Sequence, residues 1–488
     1  MWRLIPTTQS SLLLAVVAIS GFLLRLLWPG DVAFINDEPV ILAQAIDAWS
    51  QGRWWSLGLQ GSQGWHYGPL PHWFYGSFLA LKVSLPMLVM IKAALAFTLT
   101  LVGAWLFWDE KLKTLALALL LAHAPYLVFY DRSLWDNVFL IPLTALGLGL
   151  YRQYHLRLRL ELLAASFFCL TLALLAHLMA LPSFLAVLGH FVIAEYSRGR
   201  INWRQLGSRT ACIVLGCLVF VPYFLTAFTH KGAPRPEASW TPMAFWHGIS
   251  GVQFFSLHGL EYFLGEGREP FWYRTDGLKV IWNYLEPASY FVFGLALAGL
   301  GAIFTRARLW RDKWLDPVWA LPILIVALQV AQCMLGGIVA YPHYHNGSWM
   351  GFFGFLVMGV DWLRRFKRSL YVLNTLALAI VLGSWLMAYD IHKNGGNRSL
   401  HYGPTLENSL AIAKKLNQLQ AHPQSLVPRV LHYRYFPHTL NFLRWYVAGR
   451  QPVKASVQAP LELRYLQPSS EFDGRIGIFL PDGIQLYP

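Results

Sequence analysis

The chain has 488 residues, 56% of them hydrophobic and only 13% charged, with 22 tryptophans. Soluble domains carry roughly 25% charged residues, so this composition excludes a soluble globular protein and predicts a polytopic membrane protein. The formal net charge of +14 does not point to nucleic acid, because most basic residues lie in short loops between apolar runs, where they orient helices.

Ser11 to Trp28 is the first apolar run. It follows Arg3 and has no small-residue cleavage site, which predicts a retained signal anchor with its amino terminus in the cytoplasm. From Pro29 to Pro69 the chain turns polar and aromatic, with Trp49, Trp54, Trp55 and Trp65 suited to a headgroup interface. This is a first outer loop, expected to hold an amphipathic helix over Pro39 to Gln51 on the membrane surface. Within it the stretch FINDEPVILA sets Asp37 beside Glu38. One reading is an ordinary solvated helix start, with Asn36 or Asp37 as N-cap and Pro39 in the first turn. The other is a general base presented to a lipid-borne substrate at the mouth of a helix bundle.

The next apolar segment, from about Leu70 to Pro86, is shorter than the roughly 20 residues a span needs. If it does not cross, the basic clusters around Lys111, Arg157, Arg204, Arg308 and Arg365 all fall on one side, so it is read as juxtamembrane. Spans are then expected near 87–107, 114–130, 137–153, 161–177, 180–195, 211–228, 286–304, 318–337, 347–362 and 370–388. With the first, that makes about eleven, an odd number that leaves the carboxyl terminus outside. The outer side collects loops 29–86, 130–137, 229–284 and 338–346. Cys169, Cys212, Cys217 and Cys333 lie in apolar stretches and give neither a zinc spacing nor a disulfide framework.

From Asp390 onward the composition becomes soluble. Helices are expected over Pro404 to Ala421 and Pro437 to Val447, with strands over Pro428 to His432 and Arg475 to Leu480. The fold class is therefore an α-helical polytopic membrane protein, residues 1–389, with a small C-terminal extramembrane α/β domain, residues 390–488.

The second informative stretch is YDRSLWDN, Tyr130 to Asn137, where Asp131, Arg132 and Asp136 crowd a loop between two apolar spans. A solvated Asp131–Arg132 ion pair is the plain reading. The functional reading brings Asp136 to the first-loop acids and lets Arg132 donate to a phosphate. Other outer-side groups that could face a phosphate are Lys231, Arg235, Arg268 and Arg274, with His343 and His345 if protonated. His66, His343 and Asp136 are the candidate ligands for a divalent cation, against the alternative that the histidines are polar lining. No other cofactor is indicated.

A DE pair in the first outer loop, the aromatic run Tyr67, Pro69, Leu70 and Trp73, and the Arg132 to Asp136 spacing before a later span together resemble the GT-C superfamily. The similarity is to protein O-mannosyltransferase-like enzymes and lipid A aminoarabinose transferases, and it covers mainly residues 1–200. It implies inverting transfer of a sugar from a polyprenyl-phosphate-linked donor to an acceptor glycan, lipid or protein at the outer face of a bacterial inner membrane. Asp37 would be the catalytic base, with Glu38 and Asp136 in support. Where the aminoarabinose transferases carry an acidic residue and a lysine, this chain has Trp65, His66 and Tyr67, which removes that lysine's donor contact.

Three competing readings remain. A lipid or sugar transporter or flippase would need polar groups at mid-membrane, whereas Arg25 and Lys92 fall near span ends. An assembly subunit would have no need of Asp37. An outer-face ligase or polymerase of lipid-linked glycans would rely on arginines and histidines of a late outer loop.

Overall fold

The computed structural model describes residues 7–34, 37–52, 56–61, 66–108, 121–197, 203–229, 242–255, 290–292, 294–299, 301, 315–337, 340–363, 366, 369–395, 404–418, 426–428, 436–449, 461–465, 476–479 and 485–486. Helix α1 spans Thr7–Leu26, α2 Asp37–Ser50, α3 Leu70–Ala80 and α4 Leu85–Phe107. Ser84 caps α4, its hydroxyl accepting from the Met87 N–H, and Pro86 occupies the first turn, where its missing N–H costs nothing. Helix α3 has 11 residues, too short to cross a bilayer alone, and the chain turns at Lys82 (φ 60°) before α4 begins.

Helix α5, Pro125–Arg132, starts where Pro125 interrupts the apolar run, and a 3-10 turn at Asn137–Phe139 leads into α6, Leu140–Arg157. Then follow α7 (Leu160–Ala176), α8 (Leu181–Ser197), α9 (Trp203–Cys217), α10 (Val221–Thr229) and α11 (Pro242–Ile249). Beyond them lie α12 (Pro317–Gly336), α13 (Trp349–Leu363) and α14 (Ser369–Asn394). Helices α4 and α6 meet along small residues: a Cβ on Gly103 would lie 2.4 Å from the Ala145 carbonyl, and one on Gly149 2.4 Å from the Gly103 carbonyl. Without side chains in the way the two backbones touch, as small-residue seams allow in lipid.

Five helices among the described residues are long and apolar enough to cross a membrane: Leu85–Phe107, Leu178–Ser197, Trp203–Ala227, Pro317–Gly336 and Tyr371–Lys393. This is fewer than the eleven expected. The predicted spans near 114–130 and 286–304 lie partly outside the described residues, and α13, at 15 residues, is short.

A buried polar knot ties α1 to α5. Arg25 donates from Nε to Asp131 Oδ2 at 2.6 Å and from its Nη atoms to the carbonyls of Gly21, Leu121 and Ala122, with its guanidinium 4.3 Å from the Phe97 ring centroid. The expected Asp131–Arg132 pair is thus replaced by a buried Asp131–Arg25 pair. Arg132 donates instead to the carbonyls of Leu27 and Trp28. Both arginines thus donate to backbone carbonyls where α1 and α5 meet.

After α14 the chain returns to the segment between α1 and α2. Ala33 bridges Thr405, the Leu406 N–H donates to the Val32 carbonyl at 2.9 Å, and the Glu407 N–H donates to the Gly30 carbonyl at 3.0 Å. His392 joins Asp31 at 2.7 Å and stacks on Trp28. Helices α15 (Leu406–Gln418) and α16 (Phe436–Val447) pack here, with Phe442 5.9 Å from Phe34. The described strands β1 (Leu426–Pro428), β2 (Leu461–Tyr465), β3 (Ile476–Phe479) and β4 (Gln485–Leu486) form one sheet in that order. The first pair is parallel and the other two antiparallel. Strand β1 precedes the predicted Pro428 to His432 segment, and β2 was not read from the sequence.

Candidate functional site

Asp37 and Glu38 form the first turn of α2, where the helix dipole favours negative charge. They are not a solvated start. Glu38 is buried, Asp37 half-buried, and the Asp37 Oδ2 accepts a hydrogen bond from the Trp135 indole N–H at 2.9 Å. Trp135 comes from the turn between α5 and α6, 98 residues away. That turn is fixed from below by Lys92 of α4, whose ammonium donates to the Tyr130 and Ser133 carbonyls at 2.8 and 2.6 Å. From α3, the Tyr75 hydroxyl donates to the Trp135 carbonyl at 2.9 Å.

Asp136, the next residue, is fully buried. Its Oδ1 accepts from the Asn137 N–H at 2.7 Å, and its Oδ2 has no hydrogen-bond partner among the described residues. Burial pushes its carboxyl well above the usual range, repulsion from Asp37 and Glu38 adds to this, and the backbone N–H offsets only part. Burial raises Asp37 too, opposed by the Trp135 hydrogen bond. Burial therefore favours the protonated form of both carboxyls, with the Trp135 N–H opposing it at Asp37.

Tyr67 completes this wall. A short hairpin holds it, with the Gly58 N–H donating to the Tyr67 carbonyl at 2.7 Å and the Tyr67 N–H to the Leu59 carbonyl at 2.8 Å. Its ring lies 3.8 Å from that of His177, and burial together with the charges of Asp136 and Asp37 keeps its hydroxyl protonated. Gly68 lets this hairpin sit on α7, since a Cβ there would lie 2.2 Å from the Leu175 carbonyl.

The 3-10 segment Pro342–Ser348 closes the other side. Tyr126 donates to Asn346 Oδ1 at 2.5 Å, and Ser183 to the Gly347 carbonyl at 2.5 Å. The His343 ring packs 4.7 Å from Trp135 and 4.4 Å from Tyr344. His345 is fully buried, its Nε2 3.0 Å from Ser250 Oγ, and desolvation lowers its pKa to about 3. Burial thus disfavours the protonated form that a contact between His345 and a phosphate would need. Arg268 and Arg274 lie outside the described residues. Arg132 sits beside the Asp31 carboxylate with its Nη2 on two backbone carbonyls, so its guanidinium is already engaged in holding the chain after α1.

The structure does not gather His66, His343 and Asp136 into a metal centre. His66 turns its Nδ1 to the Gly58 carbonyl at 3.2 Å, and among the described residues no group of three or more His, Cys, Asp or Glu side chains is placed to hold an ion. Sequence reasoning gave Trp135, Tyr75 and Lys92 no part in this constellation and read Tyr67 only as one of an aromatic run. Lys92 carried a readable signal, an ammonium inside an apolar span.

Replacement of Asp136 by Asn gives a pH test. The folded wild type binds a proton that the unfolded chain releases near pH 3.9, so folding becomes less favourable as pH rises from there through the raised folded value. Thermal unfolding in detergent is expected to show a smaller loss of stability between pH 5 and pH 8 in Asp136→Asn than in the wild type. Equal losses would show that Asp136 is ionised in the fold.

No protein-family model matches the sequence, and no curated protein matches it. Among solved structures it is similar to the crystal structure of ArnT from Cupriavidus metallidurans bound to undecaprenyl phosphate, with a TM-score of 0.51 and 14% identity over 90% of this chain and 85% of that one. The chain is thus a polytopic α-helical membrane protein whose fold is similar to that of this solved structure.

Proposed function

We propose that the protein is an inverting glycosyltransferase that moves a sugar from a polyprenyl-phosphate carrier to an acceptor hydroxyl or amine at the outer face of the membrane. The observation that carries this reading is that the Asp37 carboxylate, at the start of α2, meets Trp135 and acts on Asp136 in the α5–α6 turn. The shared fold with a protein crystallised with undecaprenyl phosphate supports a lipid-linked donor.

Asp37 is the base in this scheme. Its free carboxylate oxygen takes the acceptor's proton as the acceptor heteroatom bonds to the anomeric carbon from the face opposite the leaving group. The bond from that carbon to the phosphate oxygen breaks, and the polyprenyl phosphate departs with the electron pair. One base suffices, because the phosphate leaves as a stable anion. Asp136, protonated, can donate a hydrogen bond to the acceptor, and Glu38 adds negative potential without direct contact. The C-terminal segment, whose residues 405–407 meet residues 30–33 just before Asp37, would in this scheme cover the site or select the acceptor. Mass spectrometry of native glycoconjugates from cells with and without the protein tests the reading: one sugar should disappear from one class of acceptor. An unchanged glycan profile would count against it.

A further inference from the structure

The single described hydrogen bond to the proposed base comes from a residue that no acid–base scheme yet uses. Resting on the glycosyltransferase reading, we propose that Trp135 is a positioning residue, whose indole N–H locks Asp37 Oδ2 and leaves Oδ1 as the oxygen that accepts the acceptor's proton.

The geometry is built for this. A carboxylate at a helix start can rotate about its Cβ–Cγ bond, so either oxygen could meet a substrate, and a fixed donor on one oxygen removes that freedom. The indole has one N–H and no acceptor, so it can serve only the carboxylate and cannot trade roles with a substrate hydroxyl. Trp135 is itself held at both ends. Its carbonyl accepts from Tyr75, its ring packs on His343, and Lys92 pins the carbonyls of Tyr130 and Ser133 just before it. Such three-sided support is characteristic of groups that orient a reacting side chain. Filling space between α2 and α6 would not require the indole nitrogen to face a carboxylate.

The N–H also acts on charge. Asp37 is flanked by Glu38 on its own helix, Asp136 from the α5–α6 turn and Tyr67 from the hairpin, with no cation among the groups that shift its ionisation. A donor to the ionised form opposes burial there, in addition to the dipole of the α2 start. Removing it should raise the Asp37 pKa.

The test uses the full-length protein in proteoliposomes, with two variants that lack the donor: Trp135→Phe, which also shortens the ring system, and Trp135→benzothienylalanine, in which sulfur replaces the indole N–H in the same outline. Two readouts are taken. The first is transfer from the polyprenyl-phosphate donor across pH. Here kcat should fall about 10- to 100-fold, KM should stay within about twofold, and the acid limb of kcat/KM should move up by about one pH unit. The second is independent of activity: carbodiimide labelling of Asp37, read by peptide mass spectrometry, should show its pH midpoint shifted upward in both variants. If the wild type transfers no sugar, the functional reading fails, yet the labelling still decides whether Trp135 governs Asp37. If the benzothienyl variant leaves both the midpoint and kcat at wild-type values, the positioning role is overturned.

Discussion

Asp37→Asn is expected to lower sugar transfer by about 100- to 10,000-fold, the usual contribution of a positioned general base, with folding and donor binding kept. Asn has the same outline, and its side-chain oxygen can still accept from the Trp135 indole, so the loss isolates proton acceptance from packing. Glu38 cannot stand in. The next residue of a helix points about 100° away, and Glu38 is buried at 3% exposure. Initial rates in proteoliposomes, with size-exclusion profile and thermal unfolding as controls, check this. Transfer within about threefold of wild type would remove Asp37 from the base role, and loss of folding would make it structural.

The second large effect lies away from the chemistry. Arg25 and Asp131 form a buried pair in which each guanidinium nitrogen also meets a carbonyl or carboxylate oxygen. Asp131→Ala leaves a buried cation without its counter-ion and should destabilise the fold by about 3–5 kcal/mol. Arg25→Met alone should do similar damage by stranding the carboxylate and three carbonyls. The double variant Arg25→Met with Asp131→Leu should be less destabilised than the two single effects added together, because neither charge is left behind. Unfolding in detergent, run as a double-mutant cycle, measures the coupling. Strict additivity would mean the two groups do not depend on each other. Since Asp131 ends five residues before Asp136, the single variants should also disturb the turn that carries Trp135.

The parts of the site legible in the sequence were those marked by charge where apolar residues were due. Asp37, Glu38 and Asp136 stood out because carboxylates flank spans for a reason, and the structure puts them side by side. What failed was partner assignment. Asp131 and Arg132 are adjacent in sequence, yet on a helix adjacent side chains diverge, and Asp131 turns to Arg25 across 106 residues. Arg132 looked like a phosphate contact because its charge cannot be neutralised, but the frayed end of α1 offers two carbonyls closer to hand. Histidine spacing said nothing about depth, so the burial that disfavours a protonated His345 was invisible. Trp135 was passed over for a similar reason: in a chain with 22 tryptophans nothing local distinguishes an indole that anchors a loop from one that holds a carboxylate. In the described part of the expected span near 114–130 a new helix begins at Pro125, a break that hydropathy averages away.

The most direct measurement is anomeric product analysis. Proteoliposomes of the purified chain are given a polyprenyl-phosphate-linked sugar and acceptor, and the released lipid phosphate and the product's anomeric configuration are followed by mass spectrometry and NMR. The account predicts one polyprenyl phosphate freed per sugar transferred, inversion at the anomeric carbon, and near-complete loss of both signals in Asp37→Asn. Retained configuration, or product formation that persists without the Asp37 carboxylate, would contradict it.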